Sequence, residues 1–233
     1  MADQAEHTQD ILDLARTFLK QQQELGLDGL PKLSLEVKEE NAEILALPRE
    51  NLETLKTQVL NCKACQLCER RSSVVFGSGH PNADIMFIGE APGAEEDKQG
   101  IPFVGAAGQL LTRMIEAMGL QRDDVYIANV VKCRPPNNRD PLPEEIAQCE
   151  PYLIQQIEMV APLVICTLGR FAAQTLLKTT DSMGRLRGQV FDYRGVKLVP
   201  TYHPAALLRN AQWKRPTWED LKLVRNLYDG TEL

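Results

Sequence analysis

The 233-residue chain has no apolar run approaching the roughly 18–20 residues that a membrane-crossing helix needs. Its opening, MADQAEHTQD, lacks the basic-then-apolar pattern of a secretory leader, so the expectation is a cytoplasmic protein without a membrane role. Neither G-x-x-x-x-G-K-[ST] nor G-x-G-x-x-G occurs, which excludes a P-loop and a dinucleotide-binding turn. Internal repeats and low-complexity tracts are absent as well. Histidine is scarce: His7, His80 and His203 are the only three. His7 falls in an acidic N-terminal stretch, and His80 precedes Pro81 in a turn. His203 follows an apolar run and is the histidine best placed for chemistry.

What is present suits one ordinary domain with an appendage. Hydrophobic residues make up 43% of the chain, enough to bury a core without disulfides. Six cysteines therefore point to metal binding or reactivity rather than to cross-links. The net charge of −6 argues at first against a polyanionic partner. Its distribution reverses that reading. Residues 1–58 carry 12 acidic and 6 basic side chains, whereas residues 185–225 carry 9 Lys or Arg against Asp192, Glu219 and Asp220. Local field governs docking, so a nucleic acid is allowed.

Residues 1–50 read as an N-terminal extension: a short helix near residues 10–19, then a flexible acidic linker over 21–48. Helical spacing resumes over 50–60, and residues 51–233 form the main domain. Four near-continuous apolar runs, Asp84–Gly89, Val125–Val131, Leu163–Leu168 and Lys197–Tyr202, predict strands. Helical patterns over Gly105–Met118, Pro143–Met159 and Arg170–Leu177 separate them, and a hairpin is expected at Gln189–Val196. Strands of this type alternating with helices predict a three-layer α/β/α fold around a four-stranded parallel sheet. In such sheets ligands bind beyond the strand carboxyl ends. Glu90, Asn129 and His203 all fall there.

The cysteines fall into pairs. Cys62 and Cys65 form a C-x2-C motif, and 15 residues separate Cys133 from Cys149. Four thiolates in two pairs suit Zn²⁺ or an iron–sulfur cluster, and spacing does not separate the two. Cys68 extends the first motif, and Cys166 lies inside an apolar run as a core residue. Gly89-Glu90-Ala91-Pro92-Gly93 gives a tight turn with free backbone N–H groups. Phe103, in a Gly-rich stretch, is a stacking platform for a base, although a lone Phe more often packs in the core. Asn129 brings an amide into an apolar strand, where it needs partners. Leu207-Leu208-Arg209, followed by Lys214-Arg215, suits a wedge with phosphate-binding cations, or else the start of an amphipathic helix.

Taken in order, Cys62-x2-Cys65, Val74-Val75-Phe76-Gly77, Gly89–Gly93, Pro102-Phe103-Val104-Gly105, Asn129–Pro136 with Arg139, Cys149, and His203-Pro204-x-x-Leu207-Leu208-Arg209 resemble the family 4 uracil-DNA glycosylases. The resemblance spans roughly residues 52–228 and leaves residues 1–50 outside. It implies the same α/β/α fold and a structural [4Fe-4S] cluster on Cys62, Cys65, Cys133 and Cys149. The implied reaction is hydrolysis of the glycosidic bond of deoxyuridine in single- or double-stranded DNA. Glu90, Ala91, Glu96, Phe103, Asn129 and His203 would hold uracil. His203, Asn129 and Glu90 would act in catalysis, and Glu96 would crowd C5 against a thymine methyl. Leu207 or Leu208 would fill the vacated stack, while Arg209, Lys214 and Arg215 hold phosphates. Family 1 glycosylases carry an aspartate where this chain has Ala91. Either another group orients the water, or charge stabilisation of an oxocarbenium-like sugar suffices.

Two other readings use the same residues. One is a uracil-DNA binder that is non-catalytic or traps its target covalently, but the segment Asn129–Asp140 has no histidine of the kind trapping relatives carry. The other is a redox-responsive module with Cys68 beside the cluster and residues 1–50 recruiting a protein. The primary expectation is a monomeric enzyme.

Overall fold

The computed structural model describes residues 51–230. The expected helix at 10–19 and the linker at 21–48 lie outside the described residues. The chain enters through α1 (Leu52–Leu60), whose N-cap Asn51 accepts the backbone N–H of Thr54 at 2.9 Å. That bond satisfies one of the amides a helix start leaves free. Leu55 and Val59, four residues apart, are the buried face of α1.

The sheet has six strands: β1 (Ser78–Gly79), β2 (Ile85–Gly89), β3 (Tyr126–Asn129), β4 (Val164–Leu168), β5 (Phe191–Tyr193) and β6 (Val196–Thr201). Their spatial order is β1-β3-β2-β4-β6-β5. The expected four-stranded parallel sheet is its centre, with β2 pairing β3 and β4, and β4 pairing β6, all parallel. The correction is at the edges, where β1 and β5 add antiparallel strands. At two residues β1 is too short to show a period in the sequence, and β5 is the first arm of the hairpin expected at Gln189–Val196. The hairpin joining β5 to β6 turns through Arg194 and Gly195, with φ of 54° and 85°. Two consecutive left-handed residues give the turn whose twist matches that of the strands.

Between the strands run α2 (Ala94–Gln99), α3 (Ala106–Ala117), α4 (Pro143–Val160), α5 (Arg170–Leu177) and α6 (Met183–Leu186), and after the last strand come α7 (Pro204–Arg209) and α8 (Lys214–Tyr228). Strand residues alternate between two cores, as a period of two demands. Met86 and Ile88 of β2 face Leu55, Val59, Leu153 and Ile157 from α1 and α4. Ile85 and Phe87 face Leu111, Ile115, Leu221 and Val224 from α3 and α8. All of these are nearly or wholly buried, each contributing about 1.5–3 kcal/mol. Cys166 lies in the second core, as its sequence setting predicts. Helices α2, α6 and α8 are additions to the sequence reading; α8 begins at the Lys214-Arg215 pair assigned there to phosphate contact.

Because β2 connects outward to β3 on one side and β4 connects to β6 on the other, the strand order reverses between β2 and β4. A crevice forms at such a switch point, beyond the carboxyl ends.

Candidate functional site

A cleft of about 430 Å³ occupies that edge, and Glu90, Ala91, Glu96, Phe103, Asn129 and His203 all line it. The six residues come from four separate stretches of sequence and meet only because the parallel strands end side by side.

Asn129 closes β3 and is 1% exposed. Its Oδ1 is buried without a hydrogen-bond partner, one of two such side-chain atoms among the described residues. An unpaired buried acceptor costs free energy, so its presence at a cleft points to a ligand donor. Gly89, its register partner on β2, makes room for it: a Cβ there would lie 2.4 Å from Asn129 Oδ1 and 2.6 Å from the Phe103 ring.

Phe103 takes a left-handed φ of 52°, which orients its ring over this floor. The strain is held from both flanks. Arg122 donates to the Pro102 carbonyl, and Glu96 Oε1 accepts the N–H groups of Val104 and Gly105, each at 2.9 Å. Gly108 allows α3 to pass the Phe103 carbonyl, which a Cβ would meet at 1.8 Å. Glu96 is thus a clamp on the Phe103 loop as well as a wall of the cleft, a role that sequence does not reveal.

His203 is the N-cap of α7, and its Nδ1 accepts the backbone N–H of Ala205 at 3.1 Å. Burial, helped by Arg209 and opposed by Glu96, pulls its pKa down to about 4. The ring is therefore neutral at pH 7, with its proton on Nε2 as a fixed donor. Its centroid lies 5.6 Å from that of Phe103, with the planes tilted by 31°. Gly169, with φ of 94°, leaves space for it after β4.

Burial also pushes Glu90 up to about 7, with Asp140 adding to the shift and Arg170 opposing it. Asn138, Arg139 and Asp140 form a further wall. Arg139 reaches away to pair with buried Glu145 through bonds of 2.9 and 2.6 Å, fixing that wall to the first turn of α4. Of this wall the motif string carried only Arg139, and no pattern in it signals the ion pair.

The basic segment divides. Arg209 lines the cleft, and Leu208 is 51% exposed. Leu207 is 2% exposed and belongs to the core with Leu111 and Leu221, because i and i+1 on a helix face different ways. It is not available as a wedge. Lys214 and Arg215 are exposed at the start of α8 and border other depressions, apart from the cleft.

The paired cysteines converge elsewhere. Cys62 follows α1, Cys133 follows β3 and Cys149 lies on α4, and together with Cys65 and Cys68 they border one small cavity. Arg71 donates to Cys133 Sγ at 3.1 Å, the Lys132 N–H points at Cys149 Sγ at 3.3 Å, and Tyr152 Oη lies 3.6 Å from Cys62 Sγ. Burial pushes the thiols of Cys65, Cys133 and Cys149 up, Cys149 to about 11. Among the described residues no three Cys, His, Asp or Glu side chains gather closely enough for a single metal ion.

Fold and cleft define an α/β protein with a polar-floored, aromatic-walled pocket at the carboxyl ends of its parallel strands. The profile of the uracil DNA glycosylase superfamily matches residues 76–222. A type-4 uracil-DNA glycosylase of Sulfurisphaera tokodaii is 49% identical over 187 residues, spanning 76% of this chain and 85% of its own length. That of Saccharolobus solfataricus is 48% identical over 185 residues, spanning 76% and 86%. That of Archaeoglobus fulgidus is 45% identical over 186 residues, spanning 76% and 94%. The chain belongs to the uracil DNA glycosylase superfamily, in its type-4 branch.

Proposed function

We propose that this protein repairs DNA by hydrolysing the N-glycosidic bond of deoxyuridine, releasing uracil and leaving an abasic site. The observation that carries the reading is the unpaired Oδ1 of Asn129 beneath Phe103 and beside His203. A base stacked in a duplex has to be flipped out before its glycosidic bond is accessible, at a cost of a few kcal/mol. Extruded uracil stacks on Phe103. Asn129 Oδ1 accepts its N3–H while the amide N–H donates to O4. Cytosine presents the opposite pattern and leaves buried groups unpaired, a stronger basis for rejection than a missing methylene.

Cleavage leaves negative charge on uracil, felt at O2. Nε2–H of neutral His203 donates there, and a fixed donor in a dry pocket stabilises developing charge without reorganisation. Among the cleft carboxylates Glu96 is engaged by two backbone amides and Asp140 lies 3.8 Å from Arg170. Glu90 forms no such bond among the described residues. We assign it to orienting water on the sugar, the place Ala91 leaves unfilled. Glu96 limits the space beside C5. Leu208 enters the vacated stack, Arg209 holds phosphate, and Lys214 and Arg215 hold flanking backbone.

Cys62, Cys65, Cys133 and Cys149 fit a [4Fe-4S] cluster: the four thiols border one cavity, and N–H donors already aim at the sulfurs of Cys133 and Cys149. Once bound, such a cluster supplies a cross-link among the segments after α1, after β3 and in α4. Residues 1–50 are proposed as an extension separate from the 51–233 domain, available to a protein partner, in a monomeric cytoplasmic enzyme. No described helix is long and apolar enough to cross a membrane.

The test is cleavage of a labelled strand bearing one deoxyuridine, followed by alkali, with absorbance near 400 nm recorded on the same protein. Alkali-labile scission at the uracil alone is expected. An intact strand in the presence of iron-loaded protein overturns the reading, and an adduct surviving denaturing electrophoresis replaces it with covalent trapping.

A further inference from the structure

Lys132 is 1% exposed and ranks among the largest fully buried side chains. Its Nζ donates to the Asn129 carbonyl at 2.8 Å and to Gln156 Oε1. Gln156, itself wholly buried, is anchored by donating to the Phe76 carbonyl at 2.9 Å and to the Tyr126 hydroxyl at 3.3 Å. The Lys132 backbone N–H points at Cys149 Sγ, and its carbonyl accepts Val75 N–H at 2.8 Å. One residue therefore touches both the amide residue of the cleft and the cysteine cavity, whose wall it forms.

A buried ammonium is costly unless an anion compensates it. Both acceptors on Nζ are neutral, and the ionisable side chains it meets are those of the cysteine cavity whose wall it forms, which carry charge only as cluster-bound thiolates. The compensation comes from the cysteine set. Removing that charge weakens the hold on the Asn129 carbonyl, and moving Asn129 disturbs the cysteine set in turn, because coupling between sites is reciprocal.

We propose that Lys132 is a positioning residue through which the loaded cysteine cluster fixes the uracil reader Asn129. The inference rests on the glycosylase and cluster reading above. Neighbouring backbone bonds, from Val130 N–H to the Gly89 carbonyl and Val131 N–H to the Glu90 carbonyl, carry the same register across the cleft floor.

The test compares wild-type and Lys132→Met holoprotein, prepared without oxygen, in two measurements: inhibition of cleavage by free uracil, and the rate at which a chelator bleaches the 400 nm absorbance. Free uracil is neutral, so its inhibition constant reports the pocket rather than DNA electrostatics. Losing one charge-assisted bond corresponds to about a tenfold change. The expected result is an inhibition constant raised by about that factor and bleaching accelerated, with unchanged circular dichroism and initial iron content. Faster bleaching with normal uracil inhibition reduces Lys132 to a packing residue and overturns the proposal, as does no change in either. Should Lys132→Met fail to fold, Gln156→Glu places a competing carboxylate beside the ammonium. A severalfold weaker uracil inhibition is then expected, and wild-type inhibition overturns the coupling. Wild-type protein lacking iron or activity would instead remove the parent reading, a result visible before any variant is compared.

Discussion

Gly89 and Asn129 end adjacent parallel strands in register, and the space a Cβ would take at Gly89 is already filled, 2.4 Å from Asn129 Oδ1. The Phe103 ring closes the same space from the other side. Gly89→Ala should push both residues off the base-reading geometry while leaving the rest of the strand intact. Misplacement by about 1 Å costs about a hundredfold in rate, and the overpacking costs about 1–3 kcal/mol. Uracil release and thermal melting, measured on one sample, check both numbers.

His203→Ala and Asn129→Ala should each slow cleavage by about 10²–10³, the cost of losing a fixed donor to developing charge. The pH dependence gives a second test for His203. Folded His203 titrates near 4 and an unfolded histidine near 6.5, so between those values the unfolded chain holds a proton that the folded site lacks. Stability contributed at this site is therefore lost as pH falls from about 6.5 to about 4. His203→Gln should flatten that part of a stability–pH curve measured by urea unfolding.

Glu90 has the opposite linkage. Its folded pKa near 7 lies above the ordinary 4.5, so the folded state holds an extra proton between those values and stability falls as pH rises through that window. On the proposed assignment of Glu90 to the water, its ionised form is the active one, so cleavage should rise through about pH 7. Glu90→Gln should remove this limb of the rate profile and slow cleavage at pH 8, while raising the melting temperature there. An unchanged pH–rate curve would reassign the water to another group.

Replacing Cys62, Cys65, Cys133 or Cys149 by Ser should remove absorbance near 400 nm and lower the melting temperature. Cys68→Ala should keep the iron, and so should Cys166→Ala, because Cys166 lies in the core beside Val199 rather than at the cysteine cavity. Iron per protein, measured colorimetrically, separates the two groups.

Neighbouring leucines should behave differently. Leu207→Ala empties a core site and should cost about 2–5 kcal/mol in stability. Leu208→Ala removes an exposed side chain and should leave stability within about 0.5 kcal/mol. Its expected effect is slower cleavage of duplex relative to single-stranded substrate, where no stack has to be filled.

The sequence alone determined the central architecture, because strands buried on both faces are written as near-continuous apolar runs, and those of β2, β3, β4 and β6 were legible to within a residue or two. It also determined that Glu90, Asn129 and His203 follow those strands; the motifs shared with the family added Ala91, Glu96 and Phe103, and all six line the cleft. Short β1 was not legible, since two residues carry no period, whereas β5 was legible only as part of the hairpin expected at Gln189–Val196. Helix α8 was hidden because polar Thr217 and Asp220 share its buried face with Leu221 and Val224. Only the tertiary structure decided that Leu207 packs inward while Leu208 faces solvent, and that Glu96 clamps the Phe103 loop. Only it showed Lys132 buried between Asn129 and the cysteines, where a chain reading places a lysine at the surface. The physical reason is the same in each case. Apolar periodicity is a local property of the chain, whereas burial of a charge and the partners that satisfy it depend on which distant segments fold against it.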